Sequence, residues 1–217
     1  MLANLKGKNV LVLDIETTGF PFRKKGYFEN IDNAYYDYKL NSKYDSSRIV
    51  EIAWSYIENY DKSKINKDNI KTFIRKPVDF KEIPNSDFHG ITMDQAKKEG
   101  KMLSKILKED GLSDALLNCD YIVGHCVSFD IYILLNELYR MKFNKVIDRL
   151  KTFLDTDKLV CTAKIGKTIC QIPTPFGNLK LPKLEELYKH YYKKNPDNSH
   201  RSHYDVKSLL EILEKIE

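Results

Sequence analysis

Asp14 and Glu16 are the first residues placed to do chemistry. They follow Val10-Leu11-Val12-Leu13, a continuous apolar run that reads as a strand buried on both faces. Strand side chains alternate with period two, so the two carboxylates point the same way. Adjacent carboxylates repel and resist desolvation, and a divalent cation between them removes both penalties. Hard oxygen ligands suit Mg²⁺ or Mn²⁺. The alternative is a strand end that emerges into water with two solvated acids. A third acid, Asp130, falls in the first turn of an amphipathic helix, where it also complements the helix dipole. A fourth lies in His200-Arg201-Ser202-His203-Tyr204-Asp205. There Ser202 and Asp205 fit a capping box opening the last helix. The same segment puts His200 on the lead-in, able to swing over whatever Asp205 binds and suited to take a proton from water near neutral pH. His203 is the competing base.

The elements that must carry these groups follow from patterning. Thr17-Thr18-Gly19 reads as a turn after the first strand. Residues 20 to 47 have no clear period and hold eight aromatics, so they form a long loop or small lobe. Strands are expected from Arg48 to Ile57 and from Ile70 to Arg75, joined as a hairpin. Met93 to Leu117 reads as helical with a break near Gly111, and Tyr121 to Gly124 as a strand. Ile131, Leu134, Leu135 and Leu138 mark a helix that Ser128 would cap. A strand is expected over Thr152 to Thr156 and a helix over Pro182 to Tyr192. Val206, Leu209, Leu210, Leu213 and Ile216 stripe the last helix. Strands first and then alternating helix and strand predict an α/β class, a single domain over 1–217 with one mixed sheet.

Composition sets the outer limits. With 217 residues, 42% hydrophobic and 31% charged, the chain is long enough for a sizeable core and too apolar for disorder. A net charge of +5 mildly favours polyanionic partners. No uncharged apolar run is long enough for a membrane span. Cys119, Cys126, Cys161 and Cys170 have no zinc or redox spacing. Lys6, Lys8 and Asp14 interrupt any secretory leader, so the expectation is reduced thiols in an intracellular protein of cytoplasm or nucleus. Gly166-Lys167-Thr168 ends like a P-loop, but position 161 is Cys where that loop needs Gly.

Taken in order, the motifs resemble a family. Asp14-Ile15-Glu16-Thr17-Thr18-Gly19 looks like the first motif of the DEDDh, or DnaQ-like, 3′-to-5′ exonucleases, the family of the polymerase III proofreading subunit. His125-x-x-x-Phe129-Asp130 is similar to its second motif, and His200 with Asp205 matches its His-x-x-x-x-Asp third motif. Arg48-Ile49-Val50-Glu51-Ile52-Ala53, His89-Gly90-Ile91-Thr92 and Asp155-Thr156 also look like family segments. The chain departs from the family with Cys126 where Asn is usual, Ser202 where Ala is common, and the long segment after Phe20.

The resemblance implies an RNase H-like mixed sheet flanked by helices. It implies that Asp14, Glu16, Asp130 and Asp205 hold two Mg²⁺ or Mn²⁺ ions and that His200 is the base. An in-line attack would then release a 5′-mononucleotide from a nucleic-acid 3′ end, most simply single-stranded DNA. Backbone around Thr17, Thr18 and Gly19 would meet the terminal sugar, Phe20 would wedge against a base, and His89 would sit by the terminal nucleotide. The basic, aromatic run Lys189 to Lys194 would guide a strand, or be a solvated helix end. Residues 20 to 47 carry five basic and four acidic residues, which favours a shaped lid over an electrostatic funnel. RNA as substrate and a non-catalytic nucleic-acid-binding module are the rival readings. Polymerase association and homodimerisation are the partner expectations beyond nucleic acid.

Overall fold

The computed structural model describes residues 2–25, 34–154, 156–197 and 200–216. Asp155, residues 26–33 of the insertion and Ser199 therefore lie outside the described residues. In chain order the elements are β1 (Val10–Thr17), β2 (Ile49–Ile57), β3 (Lys71–Ile74), α1 (Ser86–His89), α2 (Met93–Glu99), α3 (Leu103–Lys108) and α4 (Leu112–Asn118). They continue with β4 (Tyr121–Gly124), α5 (Ser128–Arg140), α6 (Asn144–Leu154), β5 (Leu159–Cys161), α7 (Thr162–Cys170), α8 (Leu184–Tyr192) and α9 (Ser202–Lys215).

One five-stranded sheet runs in the order β3-β2-β1-β4-β5. The β1–β2 and β2–β3 pairs are antiparallel, and β1–β4 and β4–β5 are parallel. This is the mixed, helix-flanked sheet that the resemblance implies. Its two faces bury separate cores. Leu11, Leu13 and Ile15 of β1 face α3, α4, α5 and α6, while Val10 and Val12 face α8 and α9. Period-two alternation thus assigns β1 its faces, and Asp14 and Glu16 continue the α9 side. Among the described residues no helix is long and apolar enough to cross a membrane.

Four expectations need correction. Thr152 to Thr156 is not a strand, because residues up to Leu154 close α6, whose buried Val146, Ile147, Leu150 and Phe153 repeat with helical spacing. The fifth strand lies later, at Leu159–Cys161, and is followed by a helix the patterning did not anticipate. The Met93 to Leu117 stretch breaks twice, once after Gly100 and again at Gly111, whose φ of 88° suits glycine alone at low cost. Ser128 is the first residue of α5 rather than its cap, Val127 holding that position. The Ser202–Asp205 capping box does not form: Ser202 Oγ donates instead to Glu51 Oε2 at 2.9 Å.

A buried charge network joins α5 to the sheet. Arg48 donates through Nε to Glu137 Oε1 at 2.8 Å and through Nη2 to Oε2 at 2.9 Å. Arg75 pairs with the same Glu137 and donates to Asp79 at 2.8 Å, while Arg48 also pairs with Asp79. Phe80 lies under both guanidinium groups. Two cations and two anions leave no net charge, and Glu137 is almost wholly buried. Removing one partner leaves buried arginines uncompensated, so Glu137→Ala should destabilise the fold by about 3–5 kcal/mol. Urea unfolding checks this, and a midpoint within error of the native protein's refutes it.

Candidate active site

β1 outruns its parallel neighbour. Its last residue paired with β4 is Val12, and the Ile15 amide beyond it donates to Asp130 Oδ1 at 3.1 Å. The strand's carboxyl end is thereby left open toward α9, the usual place for a ligand in an open α/β sheet. Asp14 and Glu16 meet Asp205 there. Each offers a carboxylate oxygen, and these oxygens lie within 4.8 Å of one another. Glu16 is buried, Asp14 and Asp205 are half-buried, and Asp14 Oδ2 is a buried oxygen with no hydrogen-bond partner among the described residues.

The electrostatics follow from that crowding. Burial, then the charges of Asp205, Asp130 and Glu16, hold the Asp14 carboxyl well above the usual range. Burial and then Asp205 push Glu16 up to about 8. Burial raises Asp205 to about 7 against the pull of the His200 backbone amide. Asp130 is raised chiefly by burial, opposed by its own backbone amide and that of Ile15. Three converging hard oxygens, one without a partner, fit a divalent cation. Asp130 stands just behind them with one oxygen already engaged.

The remaining expected residues fall around this centre. His200 has a left-handed backbone, φ 72°, and its ring lies on Phe88 with centroids 3.9 Å apart. His200 and Asp205 border a largely apolar cavity of about 560 Å³ walled by Phe88, Cys126 and Pro182. His203 turns away, its Nδ1 at 3.1 Å from Thr72 Oγ1 on β3. Thr17 Oγ1 donates to the Gly19 carbonyl at 2.8 Å, and Thr18 Oγ1 donates to Ser46 O at 3.0 Å. A Cβ at Gly19 would come within 2.9 Å of Ser46 O, so the turn needs glycine. Phe20 is 69% exposed and edges a second cavity of about 450 Å³ with Thr18 and Phe80. His89 is buried. Ile91 N–H donates to its Nδ1 at 3.1 Å, and burial lowers its pKa, with the Thr17 backbone pulling the other way.

Two supporting residues escaped the sequence reading. His125 donates through Nε2 to the Pro182 carbonyl at 2.9 Å, and burial lowers it to about 4, so it is a neutral structural tie. Glu51 sits opposite Glu16 in the β1–β2 register and grips Arg201 and Ser202. The only signal for either was membership in a family-like segment.

A folded carboxyl with a raised pKa binds its proton more tightly than the unfolded chain does. Its stabilising contribution is full below the unfolded pKa and is lost as pH rises through the folded value. With Asp205 near 7 and Glu16 near 8, metal-free protein should lose thermal stability between pH 5 and 8. Mg²⁺ or Mn²⁺ should raise Tm more at pH 8 than at pH 5, which thermal melts at each pH will test; equal metal shifts would refute a carboxylate cation site.

Comparison with known proteins bears on the fold and the family. A family model described as Exonuclease, of the RNase T type, matches residues 11–213. No curated protein sequence matches the chain. Among solved structures, E. coli exonuclease I in complex with a dT13 oligonucleotide superposes with a TM-score of 0.63 at 15% identity, covering 96% of this chain and 40% of that one. The zinc-bound form of the E. coli exonuclease I complex with single-stranded DNA gives 0.64 at 16%, with the same coverage of 96% and 40%. Cell-death related nuclease 4 gives 0.58 at 15%, covering 96% and 63%. The chain thus spans about 40% of the length of exonuclease I, and at these identities the likeness concerns the fold. The family match over nearly the whole chain goes further: this protein belongs to the RNase T-type exonuclease family of nuclease hydrolases.

Proposed function

We propose that the chain hydrolyses the terminal phosphodiester at the 3′ end of single-stranded DNA and releases a 5′-mononucleotide. The observation that carries the reading is the convergence of Asp14, Glu16 and Asp205 within 4.8 Å, with Asp14 Oδ2 unpartnered, beside a cavity edged by His200. Asp14, Glu16 and Asp205, with Asp130 behind them, would hold two Mg²⁺ or Mn²⁺ ions. Such ions lower the pKa of a bound water and neutralise charge on the phosphate. His200 accepts the proton of the attacking water, and the 3′ oxygen of the preceding nucleotide leaves in line with the attack. The exposed Phe20 ring stacks on a base whatever its identity. Oligodeoxynucleotides bound by exonuclease I, a structural neighbour, favour DNA over RNA as substrate.

A single-stranded oligonucleotide labelled at either end, with Mg²⁺ or with EDTA, tests the activity, and a matched RNA strand tests the sugar. Mononucleotide release from the 3′ end of DNA, abolished by EDTA, is the expected result. Faster loss of the RNA strand would move the assignment to RNA, and no hydrolysis of either would leave a binding module. Asp14→Asn should abolish most of the rate. His200→Ala should lower it by about 10²- to 10⁴-fold. His203→Ala should do much less, because His203 faces Thr72.

A further inference from the structure

Glu51 looks like one more acid of the centre. It is fully buried and pairs opposite Glu16, so its side chain shares the face of Asp14 and Glu16. Both its oxygens are taken, however. Arg201 donates through Nη2 to Oε1 at 2.6 Å and through Nε to both oxygens at 3.1 and 3.2 Å. Ser202 donates to Oε2 through its amide and its hydroxyl, each at 2.9 Å. One carboxylate on β2 thus grips two consecutive residues about 150 positions away, the pair standing between His200 and the turn that carries Asp205.

We propose that Glu51, acting through Arg201 and Ser202, is the positioning residue that holds His200 over the Asp14–Glu16–Asp205 centre. The inference rests on the exonuclease reading above. His200 has a φ of 72°, a conformation that few residues other than glycine keep without support. Asp205 needs the grip less, because Val206, Leu209 and Leu210 anchor its helix in the core. Loss of Glu51 therefore falls on the base before it falls on the acids. A misplacement of about 1 Å at a reacting group costs on the order of 10²-fold in rate.

The test is a double-mutant cycle. Glu51→Gln keeps the size and removes the charge; Arg201→Lys keeps the charge and removes the fork. Each is assayed on the 3′-labelled strand, alone and combined with His200→Ala, and each is melted with and without Mn²⁺. Either variant should lower kcat by about 10²-fold with little change in KM. In the His200→Ala background the further loss should be under about twofold, since the two changes disable one unit. In Arg201→Lys, which keeps both charges, the Mn²⁺-induced Tm shift should match the native protein's; the Glu51 charge itself acts on Asp14, Glu16 and Asp205, so the metal shift is read on Arg201→Lys. Should Glu51→Gln fail to fold, Arg201→Lys reads the same cycle with Glu51 still paired. An equal loss in both backgrounds, or a diminished Mn²⁺ shift in folded Arg201→Lys, overturns the positioning role while leaving the exonuclease reading intact. A His200→Ala enzyme with native rate overturns the positioning role together with the proposed base.

Discussion

Three carboxylate groups within 4.8 Å of one another are the constraint that the rest of the molecule accommodates. Two unit charges at that separation repel by about 3–4 kcal/mol at an effective dielectric constant of about 20. With every pair in contact, full ionisation costs on the order of 10 kcal/mol, comparable with the whole stability of a domain. Desolvation raises the proton affinity of all three; repulsion within the cluster adds to it at Asp14 and Glu16, while at Asp205 the added charges are those of Glu51 and Glu185. What forces the groups together is apolar. Val10 and Val12 on β1 and Val206, Leu209, Leu210 and Leu213 on α9 are fully buried against one another's elements. Each such side chain contributes about 1.5–3 kcal/mol, so the packing next to the acids is of the same size as their repulsion or larger. A bound cation reverses the sign of the remaining term.

The other buried charges behave differently, and the contrast identifies the site. Glu137 is paired with Arg48 and Arg75, and Glu51 with Arg201. Among the described residues no ion pair reaches Asp14, Glu16, Asp130 or Asp205, although Arg48, Arg75 and Arg201 flank the neighbouring elements. Those arginines are already engaged in support. Glu137 fixes α5, and with it Asp130; Glu51 fixes the entry to α9, and with it His200. With those arginines paired elsewhere, among the described residues only Arg201 offsets the negative potential at Glu16, and burial still holds that carboxyl up at about 8.

Much of this was legible in the chain. The apolar run into Asp14 and Glu16, the stripe of α5 and the stripe of α9 are local patterns whose period states which face is buried, and each stands where its period put it. The support was not legible, because it is made by residues far apart in sequence. Ser202 and Asp205 have the spacing of a capping box, but the Ser202 hydroxyl goes to Glu51, 151 positions away, and a fully buried carboxylate outcompetes a local cap. The same holds for Glu137, whose partners stand just before β2 and just after β3. The missed α6 is a different kind of failure. Val146, Ile147, Leu150 and Phe153 carry helical spacing, which a window confined to residues 152–156 does not contain.

The inserted segment shows how a departure from a family pattern becomes part of the site's wall. Tyr38 and Tyr44 belong to the main core, the Tyr44 hydroxyl donates to Tyr36 O at 2.6 Å, and Asn136 of α5 donates to Tyr38 O at 2.7 Å. Arg140 of the same helix reaches Asn41 O at 3.0 Å and Asp45 at 2.6 Å. Residues 34–47 are therefore fastened to the helix that carries Asp130. Their last residues turn toward the site: Ser46 donates to the Phe20 carbonyl at 2.8 Å and accepts from Thr18. Tyr35, Tyr38 and Tyr44 are spent on this packing, Tyr35 against Tyr132 with centroids 5.0 Å apart. Phe20 and Phe22 stay exposed, Phe20 with one side against Phe129 and the Arg23 guanidinium 5.8 Å from its ring centroid. The influence of residues 34–47 on substrate choice consequently runs through the shape of the Thr17–Phe20 turn that they prop, because their own aromatic surface is committed to the core.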